Sequence, residues 1–411
     1  MTLHAPCRAC GAPLAKTFTN LGMSPFSNAY VPADKANSPE TYYPLHALVC
    51  ESCFLVQLES YEQPTNIFND DYAYFSSYSS SWLEHASAYC AAMTQRFHLG
   101  KDAHIAEAAS NDGYLLQYFQ QDGLKVTGIE PAANCAAAAQ QKGVHTDVAF
   151  FGADSGKRIR ETRGAADLIA ANNVLAHVPD LDDFVSGFPA LMSPEGVTTF
   201  EFPHLMRLIE FNQFDTIYHE HFSYLSLLPL RQVFENAGLR MFDVEELPTH
   251  GGSLRLFVCH QHAKHSESPN IADMLARERA AGLEDLSTFE RFGAVAAEIK
   301  DAVMEFLIAA RRDGKTVAAY GAAAKGNTLI NYCGIGPDHI SYVVDLNPNK
   351  QGRLLPGSRI PIRDISTVTR EKPDYLFILP WNLKDEVVGQ MAEIREWGGQ
   401  FVTAIPRLEI F

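Results

Sequence analysis

The chain has 411 residues, 46% of them hydrophobic and 20% charged, and a formal net charge of −16. This length predicts two or three domains with real cores, and the acidic balance disfavours a nucleic-acid partner, whose phosphates need a basic surface. No apolar run reaches the length of a membrane span, and the opening Met-Thr-Leu-His-Ala-Pro-Cys lacks the basic and apolar regions of a signal peptide, so a cytoplasmic protein with no membrane partner is expected.

Cys7-Arg-Ala-Cys10-Gly11 and Cys50-Glu-Ser-Cys53 form two CxxC pairs. Each pair makes a thiolate knuckle, and two knuckles complete a tetrahedral set for one structural zinc ion. Such a site is closed, so the metal is expected to hold the fold and to affect activity only through it. The long stretch between the pairs should carry strands of its own. Ala47 to Leu58 reads as a strand, a knuckle and a strand. Cys90, Cys135, Cys259 and Cys333 are scattered and read as core residues. The aromatic and serine-rich segment Asp70–Trp82 opens a helix through His85 to about Phe97, with serines available as caps.

From residue 103 short apolar strands alternate with helices: strands at 104–107, 125–130, 166–171 and 196–202, helices at 113–121 and 132–142. This pattern predicts right-handed βαβ units and a parallel sheet. Glu107-Ala-Ala-Ser-Asn-Asp-Gly113 follows the first strand, and the second ends in Glu130. An acid, a loop and a second acid suit S-adenosylmethionine better than a dinucleotide: Glu107 can face an ammonium, Glu130 can hold both ribose hydroxyls, and no pyrophosphate needs a glycine-rich seat. A helical stretch at 270–312 precedes a second alternation, with strands at 316–320, 340–345, 375–379 and 400–404. Its loop Tyr320-Gly-Ala-Ala-Ala-Lys-Gly-Asn327 could cradle phosphates with Lys325, hold a second NAD, or only pack. The absence of GxGxxG argues against NAD and favours recognition of part of an activated substrate.

Asp215-Thr-Ile-Tyr-His-Glu-His-Phe-Ser-Tyr224 gathers Tyr218, His219, Glu220 and His221 in a loop beyond the strand ending near Phe202. His177 follows the preceding strand, near the same sheet edge. A metal site, a general base and a polar turn are three readings; His-Glu-His lacks the i, i+4 spacing of a helical zinc site, whereas a neutral histidine oriented by Tyr and Glu suits proton abstraction.

Taken in order, the cysteine pairs, Tyr72-Ala-Tyr-Phe-Ser, Ser110-Asn-Asp-Gly-Tyr-Leu-Leu116, Ala176-His-Val-Pro-Asp180, Tyr218-His-Glu-His221, Thr249-His-Gly-Gly-Ser-Leu-Arg255, Gly321–Asn327 and Val344-Asp-Leu-Asn-Pro348 resemble the three-domain, S-adenosylmethionine-dependent sugar C-methyltransferases that build branched deoxysugars. The resemblance implies an α/β protein with a zinc-binding domain (1–65), a class I methyltransferase Rossmann-like domain (66–245) and a C-terminal Rossmann-like, nucleotide-sugar-binding domain (246–411). It implies methylation at C3 of a TDP-linked 4-keto-6-deoxysugar; separately, a monomer or weak oligomer is expected. His221 would be the base, with Tyr218, Tyr72, His177 and Glu220 assisting. Glu107, Asn111, Gly113, Glu130 and Asn173 would hold the cofactor, and His250, Lys325 and Asn327 the substrate. Alternatives are an O- or N-methyltransferase and a non-catalytic Rossmann scaffold. Ala109 stands where the family's cofactor loop has its first glycine.

Overall fold

The computed structural model describes residues 5–61 and 75–411. Tyr72 lies outside them. The N-terminal part is an antiparallel sheet of Lys16–Ser24, Tyr43–Val49 and Val56–Leu58, so the stretch between the cysteine pairs does carry strands. Its fourth strand, Ser223–Tyr224, comes from far along the chain and pairs with Val56 and Gln57. Side chains alternate between faces along a strand, and both faces here are buried. Leu45, Ala47 and Val49 join a core shared with the C-terminal part, whereas Leu48 and Cys50 join the core of the central part. The small N-terminal unit is therefore a wall between the two larger ones.

The central sheet has seven strands. His104–Ala108 lies between Lys125–Ile129 and Ala166–Asn172, all parallel. Thr146–Asp147 adds one edge and Met192–Pro203 continues the other. Beyond it an antiparallel hairpin, Leu239–Leu247 and Ser253–His260, completes the sheet. Sequence alternation does not announce this hairpin, because its inner strand, Ser-Leu-Arg-Leu-Phe-Val-Cys-His, is buried on both faces and keeps no regular polar–apolar alternation. The hairpin carries the central sheet through His260, so the 245/246 boundary falls within one of its strands. Chain order reverses on either side of His104–Ala108, and ligands of open α/β sheets bind at the strand C-termini of such a switch point.

The helix Ser80–Arg96 is capped by Ser79, whose Oγ accepts from the Trp82 N–H at 3.3 Å. The expected helical stretch of 270–312 is three helices, Pro269–Ala280, Leu286–Glu290 and Phe292–Arg312. The second alternation forms a sheet with Val317–Tyr320 at its own switch point, between Val343–Val344 and Tyr375–Ile378.

A buried acid fastens the helices to the central unit. Glu278 Oε1 lies 2.8 Å from His204 Nε2 and accepts from the Leu227 N–H at 2.7 Å, while Oε2 accepts from the Leu228 N–H at 3.1 Å. Glu278 thereby caps the helix Leu227–Asn236 from another helix. Removing one partner of a buried pair leaves the others desolvated, at about 3–5 kcal/mol. Glu278→Ala should therefore lower the thermal midpoint sharply in a melting scan, and Glu278→Gln, which keeps acceptor capacity, should lower it less.

Candidate active site

The four cysteines converge. Their sulfurs all lie within 4.8 Å of one another, with Cys7–Cys53 at 3.5 Å and Cys10–Cys50 at 3.6 Å. A tetrahedron with Zn–S bonds of 2.3 Å has edges of about 3.8 Å, so the set fits zinc. The two knuckles repeat one hydrogen-bond pattern: Cys7 N–H to Ala12 O and Gly11 N–H to Cys7 O, then Cys50 N–H to Leu55 O and Phe54 N–H to Cys50 O. The residue after each second cysteine has positive φ, +72° at Gly11 and +62° at Phe54. No other group of three or more metal-ligating side chains gathers among the described residues.

At the central switch point the loop after His104–Ala108 bends through Ala109 (φ +58°), Asn111 (φ +48°) and Gly113 (φ +76°). Ala109 thus adopts the left-handed conformation of the glycine it replaces. Glu130 clamps the loop: one carboxylate oxygen accepts from the Asn111 N–H and the other from the Ala132 N–H, both at 2.8 Å. Burial pushes Glu130 up to about 7. Glu107 is fully buried, and burial, reinforced by the nearby Glu130 and Asp112, raises it well above the usual carboxylate range despite a bond to Tyr114. Glu107 Oε2, Asn172 Oδ1 and both amide atoms of Asn173 are buried with no partner among the described residues. Open polar atoms of this kind at a strand-end cleft are what a ligand carrying an ammonium and hydroxyls satisfies. The residues therefore fit S-adenosylmethionine.

The base loop is buried and its side chains diverge. His219 Nε2 is 3.1 Å from Pro44 O, and Glu220 accepts from Asn28 Nδ2 at 2.8 and 2.9 Å. His221 Nδ1 lies 2.9 Å from Thr216 O and its Nε2 lies 2.7 Å from Tyr218 Oη. Because a carbonyl can only accept, Nδ1 carries the proton and the lone pair sits on Nε2, facing Tyr218. The divergence removes the metal reading of His219, Glu220 and His221. It also differs from the expectation that Glu220 orients His221: its carboxylate faces Asn28, while its backbone bonds the His177 ring. The His177 and His221 rings stand 4.7 Å apart. Burial lowers His177 to about 4 and His221 well below its ordinary value, and pushes Glu220 up to about 7.

Along most of its length the chain is similar to the C-methyltransferase NovU of Streptomyces niveus, with 36% identity over 400 residues, 97% of this chain and 95% of that protein. The chain belongs to the C-methyltransferase family. Family profiles agree: residues 7–68 match a zinc binding domain, 82–244 a methyltransferase domain and 248–406 a C-methyltransferase C-terminal domain. Solved structures include the magnesium protoporphyrin IX methyltransferase of Synechocystis (14% identity, 44% of this chain and 78% of that one, TM-score 0.32) and an S-adenosylmethionine-dependent methyltransferase of Anabaena variabilis (12%, 42% and 83%, TM-score 0.34). The family match, the seven-stranded switch-point sheet and the four-cysteine set make the protein an S-adenosylmethionine-dependent C-methyltransferase of class I fold with a structural zinc site.

The C-terminal unit of this C-methyltransferase brings Lys325 near the base loop, where its charge acts on Asp215 and His221. Lys325 is half-buried, and desolvation lowers its ammonium from the usual lysine range. Its Nζ sits 4.9 Å from the Trp381 ring and 3.2 Å from Asn382 Oδ1. Trp381 Nε1 donates to Asp215 Oδ2 at 2.7 Å, joining this unit to the base loop. Both amide atoms of Asn327 are buried without a partner among the described residues. The Gly321 loop is filled by the chain itself. A Cβ on Gly321 would lie 2.5 Å from Pro380 Cδ, and Ala322 is held by Asp345, Lys350 and Tyr30. That leaves no seat for a dinucleotide.

Four residues to which the sequence reading gave no site role, Trp82, His85, Glu201 and Arg255, lie together here. Trp82 stacks on His85 at 4.8 Å and approaches His250 at 5.3 Å and Tyr114 at 6.1 Å. His85 Nε2 lies 2.8 Å from Glu201, which Arg255 also holds at 2.6 Å. The i, i+3 spacing of Trp82 and His85 on one helix face was the available signal. His250 is half-buried and lowered to about 3, first by desolvation and then by Lys325 and His85.

Left-handed backbone at a non-glycine residue costs about 1–2 kcal/mol, and glycine loses about 0.4–1 kcal/mol through unfolded-chain entropy. Ala109→Gly should therefore leave the melting temperature unchanged or raised, with S-adenosylmethionine affinity retained by calorimetry. The β-branched Ala109→Val should lower both.

Proposed function

We propose that this C-methyltransferase acts on C3 of a TDP-linked 4-keto-6-deoxysugar, in the cytoplasm and in deoxysugar biosynthesis, with His221 as the base that makes C3 nucleophilic. The observation that carries this reading is the Thr216–His221–Tyr218 arrangement: a buried, neutral imidazole with a fixed tautomer and its lone pair on Nε2. A carbon acid beside a ketone needs such a group, because its proton must leave before the carbon can attack. S-adenosylmethionine supplies the electrophilic sulfonium methyl.

The chain's own residues handle the proton and the charge. In the structure the Tyr218 hydroxyl occupies the Nε2 lone pair of His221. For His221 to take the C3 proton, Tyr218 must turn its hydroxyl toward the sugar C4 oxygen. That same turn lets it donate to the developing enolate. His177 stands beside His221 and supports the same charge, with Tyr72 expected to assist. Glu107, Asn111, Gly113, Glu130 and Asn173 hold the cofactor so that its methyl faces the carbanion. His250, Lys325 and Asn327 bind the nucleotide sugar, where the half-buried Lys325 ammonium suits an anionic group.

His221→Gln should bind S-adenosylmethionine normally, lose about 10²–10⁴-fold in kcat, and stop incorporating solvent deuterium at the substrate's C3. A variant that retains full turnover removes the base assignment, and methylation of a substrate with its keto group reduced removes the enolate route.

Burial lowers His221, so its base form persists to lower pH than usual. An ordinary histidine at about 6.5 is roughly three-quarters protonated at pH 6. Deuterium incorporation at C3 should stay level from pH 8 to pH 6; a fall to half near pH 6.5 contradicts the buried-base reading.

A further inference from the structure

The zinc knuckle touches both histidine loops through one side chain. Arg8 lies between the ligands Cys7 and Cys10. Its Nε donates to Pro179 O and its Nη1 to Phe222 O, each at 3.1 Å, and its guanidinium lies 5.4 Å from the Phe222 ring. Pro179 follows His177 by two residues, and Phe222 is next to His221. The two segments are also laced together, since the Phe222 N–H donates to Ala176 O at 2.7 Å. One rigid, planar group therefore spans carbonyls from both loops, and the histidine rings stand 4.7 Å apart in front of it.

Arg8 is itself held from the metal side. Gln57 is buried, and its Nε2 donates to Cys7 Sγ at 3.2 Å while its Oε1 accepts from the Arg8 N–H at 3.1 Å and from Nη1 at 3.4 Å. A side-chain amide has one donor end and one acceptor end. A zinc-bound thiolate accepts, so it keeps the Gln57 nitrogen toward sulfur and its oxygen toward Arg8. Gln57 also sits in the strand that pairs with Ser223–Tyr224, directly after the base loop.

We propose that Arg8 is a positioning residue for proton abstraction, holding the His177 and His221 loops in register from an anchor on the zinc knuckle. The proposal rests on the reading of His221 as the base, and it gives the zinc site a part in activity beyond the purely structural one expected from the cysteine spacing. A fixed fork is needed to reach two carbonyls, which a lysine ammonium does not reproduce.

The test uses the zinc-loaded full chain. Arg8→Met should keep its zinc by elemental analysis, its S-adenosylmethionine affinity by calorimetry, and its sugar KM within about threefold. Its kcat and its rate of solvent-deuterium incorporation at C3 should fall together, by about 10- to 100-fold, as expected for a misplacement on the ångström scale. Backbone hydrogen exchange in residues 219–224 should accelerate, and Arg8→Lys should recover part of the rate. Wild-type C3 exchange in Arg8→Met overturns the proposal, as does a defect confined to zinc content or cofactor affinity. If Arg8→Met does not fold, Arg8→Lys decides: slowed C3 exchange at unchanged cofactor affinity supports it, and wild-type exchange overturns it. His221→Gln, run alongside, separates the two readings. If it retains exchange, the base assignment fails; if it abolishes exchange while Arg8→Met is normal, only the role of Arg8 fails.

Discussion

Burial of the loop Asp215–Tyr224 is the constraint around which this molecule is organised. Asp215, His219, Glu220 and His221 are all buried, and a polar group taken out of water is costly unless it is hydrogen-bonded. The loop cannot supply all the partners itself. They come from every part of the chain: Pro44 and Asn28 from the N-terminal wall, Trp381 from the C-terminal unit, and the loop's own Thr216 and Tyr218. Each partner fixes one side chain, and the lone pair on His221 Nε2 is covered by the Tyr218 hydroxyl alone.

The N-terminal unit takes its meaning from that constraint. It is too small to bury both faces of its sheet alone, so it adds one face to each neighbouring core. The zinc site stiffens the turns at its end, where a short sheet would otherwise fray. From this wall Asn28 reaches Glu220 and Tyr30 reaches Ala322, which Lys350 also touches. The wall's polar contacts therefore tie it both to the base loop and to the Gly321 loop.

The two Rossmann-like units solve one geometry differently. In the central unit the switch point keeps buried polar atoms open at Glu107, Asn172 and Asn173, and the strained Ala109 holds the loop in a glycine-like bend. In the C-terminal unit the corresponding acid, Asp345, is spent on Ala322 and Lys350, and Pro380 fills the space beside Gly321. The first loop leaves polar atoms open, and the second is closed by the chain, while Lys325 on its helix faces Trp381 and Asn382.

Features set by neighbours in sequence were legible without coordinates. Two CxxC spacings specify a tetrahedral thiolate set, because knuckle geometry is local. Alternating apolar runs and helices specify parallel βαβ units, and an acid at each of two strand ends marks the cofactor edge. The hairpin at 239–260 escaped notice because a strand buried on both faces has no period to read. Trp82, His85, Glu201 and Arg255 escaped because each acts through a partner on another element. The same reason governs Glu220, whose place next to His221 in sequence suggested a direct role, while its carboxylate bonds Asn28, 192 positions away. Residue type and spacing thus announced the chemistry available to this chain. Which carboxylate faces which donor was decided by tertiary packing, since hydrogen bonds between distant segments leave no trace in local pattern.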